Sequence, residues 1–208
     1  MNGKTREGVI LGGGYSTRFG DEDKALAELA GKPLVRHVAE RLATVCDRLV
    51  VNCRDDQTTD FRAAVEGCGV PIGVATDPIP DRGPMAGIRT GLSAVESEYA
   101  AVVACDMPFV DPDFLSYLFT RADGYDAAVP QRDDEWYQTT QAVYRVESMV
   151  RACERALDRG DAKILAALEE LDDWVTVTEA EIREHADPET FDNVNTKEEL
   201  QAAARRLE

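Results

Sequence analysis

Glycines and cations near the start of the chain are of the types that bind phosphate. Gly12, Gly13 and Gly14 follow a short apolar run, and Arg18 and Lys24 come four and ten residues after Gly14. Glycines let backbone N–H groups approach phosphate oxygens, and the two cations add mobile positive charge. Glycines after a strand also serve as simple turns. The cluster therefore predicts either a phosphate-binding loop or a tight turn.

Two familiar phosphate-binding motifs do not fit this loop. A Walker-type loop requires lysine directly after its last glycine, and Lys24 lies too far along the chain. The dinucleotide motif G-x-G-x-x-G would require glycine where Thr17 stands. The sequence thus excludes a P-loop NTPase and an ordinary NAD site.

Polar residues end two further apolar runs. Asn52 closes the run "RLVVNC", and Asp106 closes "YAAVVACD". In parallel sheets ligands bind beyond the carboxyl ends of the strands, so Gly12–Gly14, Asn52 and Asp106 should lie along one edge. By position alone, Asp106 is equally a turn residue or a Mg²⁺ ligand.

The elements that position these residues alternate between strand and helix. We predict an α/β fold, a single Rossmann-like domain over residues 1–208 with a mostly parallel central sheet and helices on both faces. Asp111 followed by Pro112 predicts a helix start, and Thr196 with Glu199 forms a capping box. The predicted strands are 8–11, 48–53, 99–106 and 136–146, and the predicted helices are 33–46, 83–95, 111–122 and 196–207.

The strongly negative net charge of the chain argues against nucleic acids and anionic membranes as partners. The net charge is −17, so the surface repels nucleic acid and anionic membranes. Only five of the 23 cations are lysines, a pattern that suggests adaptation to high salt. Residues 1–41 carry seven cations and six acids, whereas the remainder carries 16 cations and 34 acids. An anionic ligand is therefore tolerated best near the glycine loop.

Neither a membrane segment nor a disulfide framework is expected. The polar start "MNGKTREG" does not fit a signal peptide, and no apolar run approaches the roughly 18 residues of a membrane span, so a soluble, cytoplasmic protein is expected. The five cysteines are odd in number and lack C-x-x-C spacing, which favours buried or incidental thiols.

Taken in order, the motifs resemble the molybdenum cofactor guanylyltransferase family of nucleotidyltransferases. That family opens with a strand, L-A-G-G-x-S-x-R-M-G-x-D-K-A-L and then G-x-P-L. Departures are Gly12 for alanine, Phe19 for methionine, and one extra residue before Lys24, which lengthens the loop. The matching positions are Leu11–Gly14, Ser16, Arg18, Gly20, Asp23–Leu26, Gly31, Pro33–Leu34, Gly83–Gly87, Cys105–Phe109 and Asn193–Leu200.

The resemblance implies roles for these residues. Asp106 would bind Mg²⁺, and Lys24 with Arg18 would neutralise charge on the triphosphate during catalysis. "GPMAG", Gly83–Gly87, favours GTP over CTP. Residues implied in binding nucleotide or cofactor are Leu11, Gly12, Gly13, Gly14, Lys24, Asn52, Asp77, Gly83, Asp106, Asn193 and Asn195. Read from the residues alone, Asp77 is equally a turn residue before Pro78, and the two asparagines cap the last helix.

The implied reaction transfers GMP from GTP to the phosphate of molybdenum-bearing molybdopterin and releases pyrophosphate. The partners are then GTP, a molybdopterin-type acceptor and other proteins of molybdenum cofactor biosynthesis. One alternative keeps the reaction but uses CTP or another acceptor such as cobinamide phosphate. Another is a non-catalytic nucleotide- or cofactor-binding carrier, which would not need both Lys24 and Asp106.

A few other side chains are expected to play lesser parts. A phosphate dianion needs no strong base, so His37 and His185 are predicted to be structural or exposed. The acids Asp21, Glu22 and Asp23 should point to solvent. Trp136 and Tyr137 either stack on a pterin or simply pack.

Overall fold

A seven-stranded sheet lies at the centre of the part of the chain that the structure describes. The structure is a computed structural model and describes residues 4–13, 23–78, 82–132 and 136–207. The strands in these ranges are β1 (Glu7–Leu11), β2 (Glu28–Leu29), β3 (Lys32–Pro33), β4 (Arg48–Cys53), β5 (Ile72–Thr76), β6 (Tyr99–Ala104), β7 (Ala127–Pro130), β8 (Gln141–Arg145) and β9 (Val175–Val177). The helices are α1 (Leu34–Leu42), α2 (Thr58–Ala64), α3 (Pro84–Leu92), α4 (Pro112–Ala122), α5 (Val146–Asp158), α6 (Ile164–Leu168), α7 (Glu179–His185) and α8 (Lys197–Leu207).

The strand order is β5-β4-β1-β6-β8-β7-β9. β8 runs antiparallel to its two neighbours, and the other pairs in this sheet are parallel. β2 and β3 form a separate antiparallel hairpin. The chain leaves β1 for β4 and β5 on one side, then crosses to β6 on the other side. The sheet therefore has a topological switch point between β1 and β6, where ligands bind in open α/β sheets.

Alternate residues of the central strands face two different helix layers. Val9 in β1 packs into the layer formed by α3 and α5, whereas Ile10 packs against α1 and α4. This alternation follows from the period of two along a strand. Because both faces are buried, the central strands are nearly continuous apolar runs. The predicted fold class is confirmed.

Two helix starts confirm the capping signals in the sequence. Asp111 accepts a hydrogen bond from the backbone N–H of Asp113 at 2.8 Å at the start of α4. At α8, the Glu199 N–H donates to Thr196 Oγ1 at 3.1 Å, and the Thr196 N–H donates to Glu199 Oε2 at 3.0 Å. The capping side chains thus satisfy backbone donors that the first turn of a helix leaves free.

The prediction of a long strand over residues 136–146 is wrong in its extent. β8 begins at Gln141, because a turn precedes it in which the Gln141 N–H donates to the Gln138 carbonyl at 3.1 Å. β8 ends at Arg145 because Val146 opens α5. The buried residues of α5, Met149, Ala152, Cys153 and Ala156, recur at helical spacing.

Glu181 joins α7 to α4, and it is expected to make the free energy of unfolding depend on pH. It accepts hydrogen bonds from Tyr117 Oη and Arg121 Nε, each at 2.9 Å, and from the Thr178 cap. Burial raises the pKa of Glu181, but the bonds from Thr178 and Tyr117 and the charge of Arg121 outweigh it and lower that pKa to about 2. The folded pKa lies below that of the unfolded chain, so this stabilisation is present above about pH 4.5 and is lost as pH falls toward 2.

Glu181→Gln should therefore lower the free energy of unfolding by about 2 kcal/mol at pH 7 and by less at pH 3. Urea unfolding of both proteins at these two pH values, which lie on opposite sides of the isoelectric point near 4.5, measures the difference. A difference that does not change with pH would contradict the prediction.

None of the helices in the described ranges has the length and apolar character needed to cross a bilayer.

Candidate active site

The carboxyl ends of four parallel strands align at one edge of the sheet. Leu11 at the end of β1 lies opposite Asn52 on β4 and Ala104 on β6, and Asn52 lies opposite Ala75 on β5. Gly12 directly follows β1, and Asp106 lies two residues after the end of β6, so the two residues are on opposite sides of the switch point. Residues that are distant in sequence thus share one crevice, as the strand-end argument predicted.

One polar cluster lies on the β4–β5 side of this crevice. Asn52 is 1% exposed, and its Nδ2 donates to Asp77 Oδ1 at 2.9 Å and to the Ala75 carbonyl at 3.3 Å. Among the described residues the hydrogen bond to this carboxylate is made to Oδ1, whereas Oδ2 lies beside the backbone of Gly13, where a Cβ would be 3.0 Å from that oxygen. A carboxylate held in this way offers acceptors to a ligand with paired N–H donors.

The "GPMAG" segment opens α3 beside this cluster. Gly83 precedes the helix with φ of 79°, a left-handed conformation that favours glycine. A Cβ on Gly87 would lie 2.6 Å from Asn52 Oδ1, so only glycine lets α3 approach the asparagine this closely. The segment thus helps to fix Asn52, and through it Asp77.

A second polar cluster lies on the β6 side. Lys24 Nζ donates to Asp106 Oδ2 at 2.6 Å and to Asn195 Oδ1 at 3.0 Å. Asn195 is held there because the neighbouring Val194 N–H donates to the Asp106 carbonyl at 2.8 Å. The side chains of Lys24 and Asp106 are 17% and 16% exposed. The structure therefore brings together three of the predicted site residues.

Asp106 has one oxygen that suits a metal ion. Its Oδ1 is buried and has no hydrogen-bond partner among the described residues. Such an oxygen is the kind of ligand that Mg²⁺ prefers. The described residues contain no group of three or more histidine, cysteine, aspartate or glutamate side chains that could hold a metal. Asp106 therefore fits an ion that takes its remaining ligands from substrate phosphates and water.

The prediction that Asp23 points to solvent is wrong. Asp23 Oδ1 accepts from the Ala25 N–H at 3.0 Å, which caps the short 3-10 turn Lys24–Leu26. Its Oδ2 accepts from Gln57 Nε2. No signal in the sequence pointed to Gln57, because a glutamine in a polar stretch such as "CRDDQTT" is most often exposed.

Other predicted residues lie less centrally or cannot be placed. Asn193 is exposed, and among the residues that the structure describes its side chain donates only to the Phe191 carbonyl, at 3.4 Å. Leu11 contributes its backbone, which accepts from the Cys105 N–H at 3.0 Å. The predictions for Gly14, Arg18, Asp21 and Glu22 lie outside the described residues.

The aromatic and histidine side chains near the site are mostly structural. Tyr137 packs edge-on against Trp174 with ring centroids 5.2 Å apart, whereas Trp136 is 74% exposed. His37 Nε2 lies 2.7 Å from the Leu29 carbonyl, and His185 stacks on Tyr117. Both positions agree with the prediction that the two histidines are structural or exposed.

The cysteines are free thiols. Burial raises the pKa of Cys46 and Cys153 to about 12, and it also raises the pKa of Cys105 beside Asp106. These thiols stay protonated at neutral pH, so they are not nucleophiles.

Comparison with known proteins places the chain in a family. A family model described as the MobA-like NTP transferase domain matches residues 8–174. A relative from Natronomonas pharaonis, named probable molybdenum cofactor guanylyltransferase, is 54% identical over 97% of this chain and 98% of its own length. A relative of the same name from Haloferax mediterranei is 37% identical over 97% of this chain and 94% of its own.

A solved structure shares the fold. Molybdopterin-guanine dinucleotide biosynthesis protein A from Archaeoglobus fulgidus superposes with a TM-score of 0.79 at 27% identity, covering 97% of this chain and 98% of its own. The switch-point crevice and these matches define a nucleotidyltransferase. The chain belongs to the MobA-like NTP transferase family, and its resemblance to the molybdenum cofactor guanylyltransferases is confirmed.

Proposed function

We propose that this enzyme transfers GMP from GTP to the phosphate of molybdenum-bearing molybdopterin and releases pyrophosphate, with Mg²⁺ bound at Asp106. The observation that carries the proposal is the contact of Lys24 with Asp106 and Asn195, across the crevice from the Asn52–Asp77 pair. The names of the two relatives support guanylyl transfer within molybdenum cofactor biosynthesis.

The reaction is a displacement at the α-phosphorus of GTP. An oxygen of the acceptor phosphate forms a bond to that phosphorus, and the bond to the oxygen that bridges the α- and β-phosphates breaks. The acceptor is largely a dianion at neutral pH, since its second pKa is near 6, so no strong general base is required. The task left to the protein is positioning and charge neutralisation.

Lys24 and a Mg²⁺ ion held by Asp106 would together neutralise the negative charge of the phosphates. Bound Mg²⁺ would supply positive charge to the phosphates and orient them. The carboxylate of Asp106 would hold the ion through Oδ1, the oxygen that has no other partner among the described residues. Lys24, now paired with Asp106 and Asn195, would turn its ammonium to the triphosphate and stabilise the leaving pyrophosphate.

Asn52 and Asp77 would select the base. Guanine presents two neighbouring donors, its ring N–H and its exocyclic amino group, which match a carboxylate. Adenine and cytosine present an acceptor at the ring position. Because Asn52 fixes Asp77 by one oxygen, the other can face the ligand. The proposed preference for GTP rests on this match.

An assay of the purified protein tests the proposed reaction. With GTP, Mg²⁺ and molybdenum-bearing molybdopterin, we expect pyrophosphate and a guanine dinucleotide product in equal amounts. Parallel reactions contain CTP in place of GTP, cobinamide phosphate as acceptor, or no acceptor. Turnover only with CTP or only with cobinamide phosphate would replace the proposal, and nucleotide binding without turnover on any acceptor would indicate a carrier.

We expect GTP to bind about tenfold or more tightly than ATP or CTP, the scale of one well-formed pair of hydrogen bonds to a base. Isothermal titration calorimetry with Mg²⁺ present measures the three affinities. In Asp77→Asn the preference should shrink, because the amide offers a donor where guanine needs an acceptor, while ATP affinity should stay the same. Equal affinities for the three nucleotides in the wild-type protein would remove the argument for guanine.

A further inference from the structure

Gln57 is a buried polar residue behind the Lys24 segment. It is 4% exposed and lies in the 3-10 turn Asp55–Gln57 that follows β4. Its Oε1 accepts from the Arg54 N–H at 2.8 Å, and its Nε2 donates to Asp23 Oδ2. Both ends of the amide are therefore used, which fixes the orientation of the side chain.

Asp23 connects Gln57 to the turn that contains Lys24. Its second oxygen, Oδ1, caps the turn Lys24–Leu26 through the Ala25 N–H. The cap sets the backbone direction at Lys24, from which the ammonium reaches Asp106 and Asn195. A chain of hydrogen bonds thus runs from the end of β4 to the base of the Lys24 side chain.

The same part of the chain also supports the glycine loop. Phe61 on α2 lies against Gly12, where a Cβ would overlap its ring. Gly12 in turn donates its N–H to the Asn52 carbonyl at 2.8 Å. The segment from Asp55 to Ala64 is therefore a common support for Gly12 and for Asp23.

We propose that Gln57 is a positioning residue that holds Lys24, through Asp23, in the orientation needed for phosphate transfer. This inference rests on the role given to Lys24 in the proposed function. Gln57 does not touch the reacting atoms, so it acts on the transition state only through Lys24. Its removal should reduce what Lys24 contributes and nothing else.

Gln57→Met tests this role, because methionine has a similar length and lacks both hydrogen-bonding groups. We expect kcat to fall about tenfold and KM for GTP to change less than about threefold, since misplacement of a transition-state contact affects kcat first. In a Lys24→Ala background the same substitution should have no further effect on kcat, because residues that act as a unit are not additive.

Glu7→Gln is the matched control. Glu7 is 2% exposed, pairs with Arg48 at 2.8 Å and accepts from the Ser97 N–H, but it lies at the opposite end of β1. This variant should lower the melting temperature and leave kcat unchanged. If Gln57→Met does not fold, Gln57→Glu keeps the acceptor for Arg54 but places a carboxylate against Asp23, and it should show the same non-additive loss.

Steady-state kinetics of the single and double variants, with thermal melts, distinguish the possibilities. Wild-type kcat in a folded Gln57→Met enzyme, or a loss that adds fully to that of Lys24→Ala, would overturn the positioning role while leaving the proposed function intact. Wild-type kcat in Lys24→Ala would overturn the role given to Lys24 and with it the positioning role of Gln57, whereas a wild-type protein without turnover on any acceptor would overturn the proposed function. A loss in Gln57→Met that disappears in the Lys24→Ala background is the result we expect.

Discussion

Lys24→Ala should lower kcat by about 10²–10³-fold, the scale of a single oxyanion-type contact, while KM for GTP rises less. Charge on the leaving pyrophosphate grows as the reaction proceeds. The ammonium therefore binds the transition state more strongly than the bound GTP, and its loss affects kcat more than KM. In the structure the ammonium already faces the crevice, where its partners are Asp106 and Asn195.

Lys32→Ala serves as the control for this experiment. Lys32 also pairs with a carboxylate, Glu40, at 2.7 Å, but its side chain is 48% exposed and lies on the β2–β3 hairpin. Steady-state kinetics should show near wild-type kcat for this variant, and thermal melts should show that both proteins are folded. A Lys24→Ala enzyme with wild-type kcat would contradict the prediction. It would show that the glycine loop is only a turn and that Lys24 is only a structural cation.

Asp106→Asn should reduce turnover by at least about 10²-fold without unfolding the protein. The amide keeps the size of the carboxylate and one oxygen, but it loses the negative charge that pairs with Lys24 and that, in the proposed function, would hold Mg²⁺. Since the Asp106 carbonyl would still accept from Val194, the local backbone should be preserved.

Turnover measured across a Mg²⁺ titration tests this second expectation. Asp192→Asn is a suitable comparison, because Asp192 is a half-exposed acid whose partner is Arg206, at 3.0 Å, rather than Lys24. Its turnover should match that of the wild type. Unchanged turnover of Asp106→Asn at saturating Mg²⁺ would show that the carboxylate is only a turn residue.

Local signals in the sequence predicted much of the fold. Capping residues marked the starts of α4 and α8, and continuous apolar runs marked β1, β4 and β6. The failure at residues 136–146 has a physical cause. β-branched and aromatic residues at 136–140 favour a strand locally, but the backbone bond from Gln141 to Gln138 closes a turn there.

The sequence predicted which side chains lie along the edge of the sheet. It did not predict which of them form hydrogen bonds with one another. Lys24 is 82 residues from Asp106 and 171 from Asn195, so their contact depends on the whole topology. The contacts of Asp23 could not be predicted for the same reason. The two residues before Asp23 are acidic and suggested an exposed run, whereas its partner Gln57 lies in the 3-10 turn that follows β4, 34 residues along the chain.

The attachment of α8 has a consequence for how the enzyme loses activity. Ala203 is the buried residue of this helix, which also packs through partly buried Leu200 and Ala204 and through Arg206, which lies over the Phe109 ring and pairs with Asp192 and Glu189. An element with so few buried contacts opens more often than central strands do, by local unfolding rather than global denaturation. Each opening breaks the hydrogen bond from the Asn195 N–H to Glu199 Oε2 on this helix, which helps to place Asn195 beside Lys24, and leaves the sheet intact. Heat should therefore inactivate the enzyme at temperatures where its circular dichroism is still that of the native protein.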